Sequence, residues 1–583
     1  MTESGPDDVG VDERTLSGWI AGVVEGRERL AEGLILVVAA IVAWVFRFVQ
    51  DDAFITYRFS RNMARGNGLV FNAGEKVEGY TNFLWTLIHV IPEKLGWSSP
   101  AFSQVFGVVL MVATVALVIR IADRLFSSRP FALLVALVLV ANMTFLGYAT
   151  GGLETMLQAL CIMGVVWAVL PTVVDGAPAA VGRILLGGAA AGLAVLTRLD
   201  SVVLLVGLFA AVAYRQWKLN DRSVGAPART LALTAAPFLV LVVPWVVWKL
   251  DFYGELLPNT FFAKSASGPL VPFLWGVAYI VAYVISYGAF LLIGRFRKYR
   301  KGFFAVPGVA ALFAVVPLWL LYICWVGADF MEYRFMVVIT PLLAMLAAWL
   351  IDRFVNLRTQ ALLVGVLLVF SLVHQVVNIP VPIPVLSFRN LSHWPNESKT
   401  TWLALGNKLH DQFPGGPDAP GQPTIAVAPL GVISYFSDLP AIDMLGLTDA
   451  WVARHGVDSQ IYYPGHVKMA PPTYLARRGV DLIIGEPALI ENADKKDSYR
   501  LSQLVVVYPV ADLRDLPPTA KVIEIPANDQ YVWPVIYLGG NAKVDAAIER
   551  NGWKVKPIDR RCDPEDLNSF LLRRLGDRTC PDL

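Results

Sequence analysis

Asp51 and Asp52 stand side by side just past the first apolar stretch of the chain. The run Gln50-Asp51-Asp52-Ala53-Phe54-Ile55-Thr56-Tyr57-Arg58 then turns basic and aromatic. Charge beside a bilayer is costly unless it faces water, a substrate or a partner. Paired carboxylates at headgroup depth can act as base or nucleophile at an oxocarbenium-like sugar carbon. The plainer reading is two acids at a helix start, where the macrodipole favours them. Further polar clusters weigh against that as the whole account: Glu78-Gly79-Tyr80, Gly151-Gly152-Leu153-Glu154-Thr155, Thr197-Arg198-Leu199-Asp200, Tyr253 to Lys264 and Gly327 to Arg334. Arg58, Arg198, Lys264 and Arg334 offer positive charge for a phosphate, the arginines in bidentate geometry. Tyr80, Trp85 and Tyr253 offer flat faces for sugar rings. A lipid-linked sugar phosphate would use all three kinds of group.

The elements that must hold these residues are apolar. Of 583 residues, 56% are hydrophobic and 16% charged, and mean hydropathy is +0.54. An ordinary soluble domain is less apolar and carries roughly 25% charge. The apolar blocks run to roughly twenty residues, the length that crosses a hydrocarbon core. The first is Gly33–Val49, and the next are Phe102–Ile119, Phe131–Tyr148, Leu153–Leu170, Ile184–Leu196 and Val202–Tyr214. Leu231–Trp248, Phe273–Ile293, Phe303–Val326, Met336–Ile351 and Ala361–Val377 follow. The pattern predicts a polytopic α-helical domain of about eleven crossings. Ile184–Leu196 and Val202–Tyr214 read as half-length helices around a polar break. Ala53–Ala64 reads as an amphipathic helix along the interface, and Thr81–Leu95 as an interfacial or re-entrant segment.

Basic residues collect in every second loop: Arg120/Arg124/Arg129, Arg183, Arg215/Lys218/Arg222, Arg295 to Lys301, and Arg353/Arg358. The positive-inside rule makes those loops cytoplasmic and places the acidic, aromatic clusters on the outer face. The expected organisation is a cytoplasmic tail at 1–29, a transmembrane catalytic domain at 30–378 and an outer domain at 379–583. Pro380, Pro382 and Pro384 mark the linker. Thr424–Ala428, Asp481–Ile484 and Leu504–Val507 read as buried strands of a mixed α/β fold, with a mobile Gly/Pro-rich loop from Phe413 to Pro423.

A net charge of +2 offers no basic face for nucleic acid. No P-loop, dinucleotide fingerprint, His-Glu-x-x-His or Cys-x-x-Cys occurs, so the motifs imply no cofactor and leave a divalent metal open. Cys562 and Cys580, both in the expected outer domain, are predicted to form a disulfide.

Taken as a set, Asp51 to Arg58, Val77 to Trp85, Gly152-Leu153-Glu154-Thr155, Leu257-Pro258-Asn259-Thr260 with Lys264, and Gly327-Ala328-Asp329-Phe330 with Arg334 resemble one branch of the GT-C glycosyltransferases. That branch is the AftB type, the actinobacterial terminal β-(1→2)-arabinofuranosyltransferases. The resemblance covers residues from about 50 to 335, with a looser likeness through Gly431–Asp449. It implies a GT-C membrane domain with an outer mixed α/β domain that binds carbohydrate. It also implies transfer of arabinofuranose from decaprenyl-phosphoryl-arabinose to the arabinan of arabinogalactan or lipoarabinomannan, with a periplasmic active site in the cell membrane. Asp51 matches the catalytic aspartate, with Asp52 beside it. Arg58, Arg198, Lys264 and Arg334 become donor-phosphate contacts. Tyr57, Glu78, Tyr80, Asn82, Glu154, Asn259 and Asp329 become sugar or acceptor contacts. A β-linked donor and a β-linked product mean net retention, which leaves a nucleophilic carboxylate and a front-side displacement both open.

Other readings stay open on the residues alone. A mannosyltransferase or another polyprenyl-phosphate-sugar transferase would carry the same clusters. A lipid-linked sugar flippase would place polar residues at the bilayer midplane and show repeated halves. A non-catalytic polysaccharide-binding protein leaves Asp51 and Asp52 without a task.

Overall fold

The structure is a computed structural model. It describes residues 15–560 except 177–178, 266–267, 355, 377–384, 394, 397, 399, 459–461, 492–496, 501–503 and 505–514. The expected Cys562–Cys580 disulfide and the proline linker therefore lie outside the described residues, as does most of the Leu504–Val507 strand. The chain forms two compact units, and neither is one continuous stretch. The first takes in residues up to Phe48, Ser103–Trp245 and Phe273–Arg389; the second takes in Val49–Phe102, Val246–Pro272 and the chain from Asn390.

The protein is a multi-pass membrane protein. Among the described residues six helices are long and apolar enough to cross a membrane: Ser99–Phe126, Thr155–Asp175, Ser201–Leu219, Gly225–Tyr253, Val309–Val326 and Leu357–His374. A seventh forms if Leu270–Ser286 and Ala289–Ala305, bent by 80°, are one span. Arg129–Val140, Val181–Thr197 and Thr340–Ile351 are shorter apolar helices. Several expected boundaries shift. Phe131–Tyr148 is two helices, because Asn142 caps a second one, Met143–Gly147, by accepting from the Phe145 amide at 2.9 Å. Val202–Tyr214 is no half-helix: it lies within Ser201–Leu219, long enough to cross. Part of the expected polar tail is the helix Leu16–Val24, whose Ser17 hydroxyl donates to Asp352 at 3.0 Å.

The second unit is built on a mixed sheet. Ile425–Val427 pairs in parallel with Ala441–Asp443 and with Leu482–Gly485. Leu482–Gly485 pairs antiparallel with Tyr531–Tyr537, which hairpins with Lys521–Pro526. Lys554–Asp559 then pairs antiparallel with Lys521–Pro526. Two of the three strands expected from apolar runs are therefore present where they were read. Both sheet faces are buried, which is why these strands read as continuous apolar runs rather than alternating ones. Ala426, Ile483, Val522 and Ile536 face one core. Ile425, Val427, Leu482, Ile523 and Val535 face the other, with Ile55, Phe59, Leu69, Phe71 and Tyr80. Ile55 and Phe59 come from the stretch expected to be an interfacial amphipathic helix, and Leu69, Phe71 and Tyr80 from the residues that follow it. Their apolar area is what draws residues 49–102 into this unit. The loop from Phe413 to Pro423, expected to be mobile, is instead held by Gln422, whose Nε2 donates at 3.0 Å to the carbonyls of Phe413, Pro414 and Gly416.

Candidate active site

Asp51 opens the helix Asp51–Ala64, with Asp52 next to it in the first turn. The helix is not an interfacial one. Nine of its fourteen residues are buried, Phe54, Tyr57, Arg58 and Phe59 among them. It lies beside the helix Leu430–Ser437 and makes polar contacts at both ends of it. Asp51 Oδ2 accepts from the Gly431 amide at 3.1 Å, and Oδ1 accepts from the Val432 amide at 2.8 Å. Leu430–Ser437 begins after Pro429 with no side-chain cap of its own, so Asp51 satisfies amides that would otherwise be orphaned. Arg58 donates from Nη1 to the Ser434 carbonyl and from Nη2 to the Leu439 carbonyl at 2.7 Å. Arg61 donates to the Tyr435 carbonyl at 2.7 Å, and Arg65 pairs with Asp438 at 2.8 Å. The two helices run parallel. Acid meets their shared N-terminal end and base their shared C-terminal end, which offsets the unfavourable parallel dipoles.

This arrangement sets the ionisation of the site. Burial raises the Asp51 carboxyl to about 7; the Val432 amide opposes the shift, Asp52 adds to it, and the Gly431 amide opposes it. Burial also pulls the Arg58 guanidinium down to about 10, against the attraction of Asp438. Gly431 has no room for a side chain. A Cβ there would overlap the Asp51 carbonyl oxygen, reach its carbonyl carbon at 2.7 Å and reach its Cγ at 3.0 Å.

Other residues expected at the site have structural employment in this unit. Arg58 is a correction: besides Ser434 and Leu439 it donates to the Phe71 carbonyl at 3.0 Å and to Asn72 at 3.2 Å. Its donors serve three backbone carbonyls and the Asn72 side chain rather than a phosphate. Tyr57, Tyr80, Trp85 and Asn82 are buried. Tyr57 packs edge-on to Phe54 and lies against His89, and Tyr80 accepts from the Tyr253 hydroxyl at 3.1 Å. Asn82 donates to Thr56 at 3.0 Å. Asn259 donates to the carbonyls of Gly446 at 2.8 Å and Leu447 at 3.0 Å, and accepts from Arg454 at 3.2 Å. Rings and amides committed in this way present no open face to a sugar. Glu78 pairs with Lys249 at 2.6 Å, both nearly inaccessible. Lys264 is exposed just after the short helix Asn259–Ala263.

The first unit holds the remaining expected residues in one cluster. Arg198 donates to Asp200, at 2.5 Å from Nη2, and to Glu154 at 2.7 Å. Gln158 donates to Asp200 at 3.0 Å, and the Tyr322 hydroxyl approaches it at 3.5 Å. Arg334 pairs with Asp329 at 2.6 Å. Both guanidiniums lie 5.5 Å from the centroid of the Phe335 ring. The arginines are thus already compensated by three carboxylates, though buried Arg334 Nε has no hydrogen-bond partner among the described residues. An apolar groove of about 500 Å³ begins near the same loop, at Met336 and Thr340, and continues past Tyr287 to Leu292 and Phe296.

Sequence reasoning gave no site role to four features. Asp200 is the principal partner of Arg198, two residues on. Lys249 is a lone cation at the end of an apolar run. Glu332 and His374 form a buried pair, with Nε2 within 2.8 Å of both carboxylate oxygens and Thr144 donating at 3.0 Å. Gly431 and Val432 open the stretch that carries only the looser family likeness, which gave them no role of their own. The recoverable signal was the spacing Asp51, Arg58, Arg65, a seven-residue repeat that puts all three on one helix face.

Comparison with known proteins gives the same frame. Residues 394–532 match a family described as a domain of unknown function (DUF8728). The crystal structure of ArnT from Cupriavidus metallidurans bound to undecaprenyl phosphate superposes with a TM-score of 0.53, covering 88% of this chain and 98% of that one at 16% identity. The fold is GT-C. Two curated relatives bear the name terminal β-(1→2)-arabinofuranosyltransferase. The one from Mycobacterium tuberculosis is 30% identical over 239 residues, 39% of this chain and 36% of the relative. The one from Corynebacterium glutamicum is 27% identical over 351 residues, 52% of this chain and 48% of the relative. The matches thus span less than half the length of either relative. They agree with the GT-C and AftB-type resemblance drawn from the motifs.

Proposed function

We propose that this protein is a membrane glycosyltransferase that takes its sugar from a polyprenyl-phosphate donor. In the finer reading it moves arabinofuranose from decaprenyl-phosphoryl-arabinose to the non-reducing ends of cell-wall arabinan, in arabinogalactan or lipoarabinomannan, and makes terminal β-(1→2) linkages. The observation that carries this is the alignment with two relatives of that name on a GT-C fold. The ArnT structure, with undecaprenyl phosphate bound, supports a lipid-linked donor.

Asp51 is assigned the acting carboxylate, with Asp52 as its neighbour. Arg334 and Arg198 are assigned the donor phosphate, with Lys264 as a further cation, and Glu154 and Asp329 set the arginines' orientation. The spare Arg334 Nε donor supports that assignment, as does a groove of a size and polarity suited to an isoprenoid tail. Glu78 keeps an ion pair rather than an acceptor contact. Retention follows if Asp51 attacks the anomeric carbon. The bond from that carbon to the phosphate oxygen breaks, and its electron pair leaves on the lipid phosphate. An acceptor hydroxyl then displaces the carboxylate, its proton passing to the released lipid phosphate. Front-side displacement would also retain, with the phosphate leaving on the face that the acceptor enters. In this reading the site and the sheet-bearing domain face the periplasm, and that domain binds carbohydrate. About eleven crossings require the three shorter apolar helices and Glu28–Val45 as additional spans.

The test is purified full-length protein with decaprenyl-phosphoryl-arabinose and an arabinan acceptor, followed by linkage analysis. New terminal β-(1→2)-arabinofuranose supports the reading. Product only from a polyprenyl-phosphoryl-mannose would move the protein to another transferase class. Donor movement across vesicles without product would make it a flippase.

A further inference from the structure

We infer that Gly431, with the amide of Val432, is a positioning element for Asp51, so that the 394–532 segment supplies part of the catalytic apparatus. The inference rests on the reading of Asp51 as the acting carboxylate. It goes beyond it by assigning that segment a task other than carbohydrate binding.

A carboxylate opening a helix is free to rotate about its side-chain torsions unless something outside its own helix fixes it. Two successive amides, aimed from 380 residues away in sequence, take one oxygen each at 3.1 and 2.8 Å. Two simultaneous bonds fix the carboxylate plane, and each oxygen keeps a second lone pair for chemistry. The amides can approach because residue 431 has no Cβ; any side chain there would intrude on the Asp51 backbone and carboxyl carbon. The amides themselves are held by the opposite end of the same helix pair, where Arg58 and Arg61 bind the carbonyls of Ser434, Leu439 and Tyr435. The same donors also oppose the effect of burial on the Asp51 proton. A merely structural latch between the two helices would use the same bonds, so the distinction is kinetic. A latch affects folding, whereas a positioning element affects turnover in protein that remains folded. Misplacing a reacting group by about 1 Å can cost on the order of 100-fold.

Two variants of the full chain test this. Gly431→Ala pushes Asp51 away, and an amide-to-ester replacement at Val432, made with the α-hydroxy acid, deletes one donor without adding bulk. With thermal midpoints near that of the parent protein, kcat should fall about 100-fold for Gly431→Ala and about tenfold for the ester. The KM for the lipid donor should stay within about threefold in both. If Gly431→Ala does not accumulate as folded protein, the ester variant decides alone. Unchanged kcat in the folded variants, or a change confined to KM, overturns the inference. Asp51→Asn separates it from its parent reading. A fully active Asp51→Asn overturns the role of Asp51 itself. A dead Asp51→Asn beside active 431 and 432 variants overturns only the positioning role.

Discussion

At the scale of single residues, Asp51 is a carboxylate whose proton is retained to about pH 7. As base or nucleophile it must be ionised, so kcat should rise with pH through a limb near 7. Asp51→Asn should lower kcat by roughly 10²–10⁴-fold for a base, and by more for a covalent nucleophile. A stopped assay across pH 5.5–8.5 checks both, and a flat profile would remove Asp51 from the chemistry. The stability consequence has the opposite sign. Between the ordinary value of 3.8 and about 7 the folded chain holds a proton that the unfolded chain has released. The contribution of this group to stability therefore falls as pH rises across that window and is constant above it. Asp443, also raised to about 7 by burial, does the same, so Asp51→Asn should make the pH slope of the thermal midpoint shallower without flattening it. Arg334 calls for a gentler substitution. Alanine would leave Asp329 buried and unpaired, a change that typically costs about 3–5 kcal/mol. Arg334→Lys keeps the charge and loses the fork, and should raise donor KM about tenfold with folded protein retained. Unchanged KM would free the arginine from the phosphate.

At the scale of elements, the pair Asp51–Ala64 and Leu430–Ser437 matters more than either helix alone. Leu430–Ser437 has eight residues and no side-chain N-cap, too short to hold its shape unaided. Its amides are satisfied by Asp51 and several of its last carbonyls by arginines. Arg58 is buried and serves four oxygens. Arg58→Met should strand those carbonyls at about 1–3 kcal/mol for each left without a partner. A clear drop in thermal midpoint should accompany faster proteolysis around residue 438. If Arg58→Met instead keeps its midpoint and raises donor KM, the arginine belongs with the phosphate contacts after all.

At the scale of the molecule, the sheet-bearing unit takes in residues 49–102 and 246–272 as well as the chain from Asn390. It encloses Ile55, Phe59, Leu69, Phe71 and Tyr80 against one face of its sheet. A chain ending at Arg389 would expose that apolar set and should not accumulate as folded protein. Recovery of active protein from such a truncation would contradict the shared core. The sidedness proposed from the basic loops has its own check. In a background lacking native cysteines, a cysteine at exposed Asp411 should react with an impermeant thiol reagent in intact cells, and one at exposed Arg300 should not. The reverse result would turn the whole topology over.

Whatever is periodic or local can be read from the amino-acid order alone. Apolar blocks of bilayer length specify membrane helices, because no water is available inside a bilayer to serve an open backbone. Buried strands such as Ile425–Val427 and Leu482–Gly485 showed as continuous apolar runs because both faces of their sheet are covered. The carboxylate pair at 51 and 52, and the Thr197 to Asp200 and Gly327 to Arg334 clusters, were visible because charge beside long apolar runs is costly. Which partners those charges take follows from the packed fold alone. Arg58, Tyr57, Asn82 and Asn259 looked available to a ligand and are instead committed to backbone carbonyls, side-chain partners and packed rings. Hydrogen bonds between Asp51 and residues 380 positions away leave no trace in local composition. Nor does the need for glycine at 431, since a helix interior gives no reason to prefer it. That requirement arises only when another chain segment comes within van der Waals distance, and such proximity is a property of the fold.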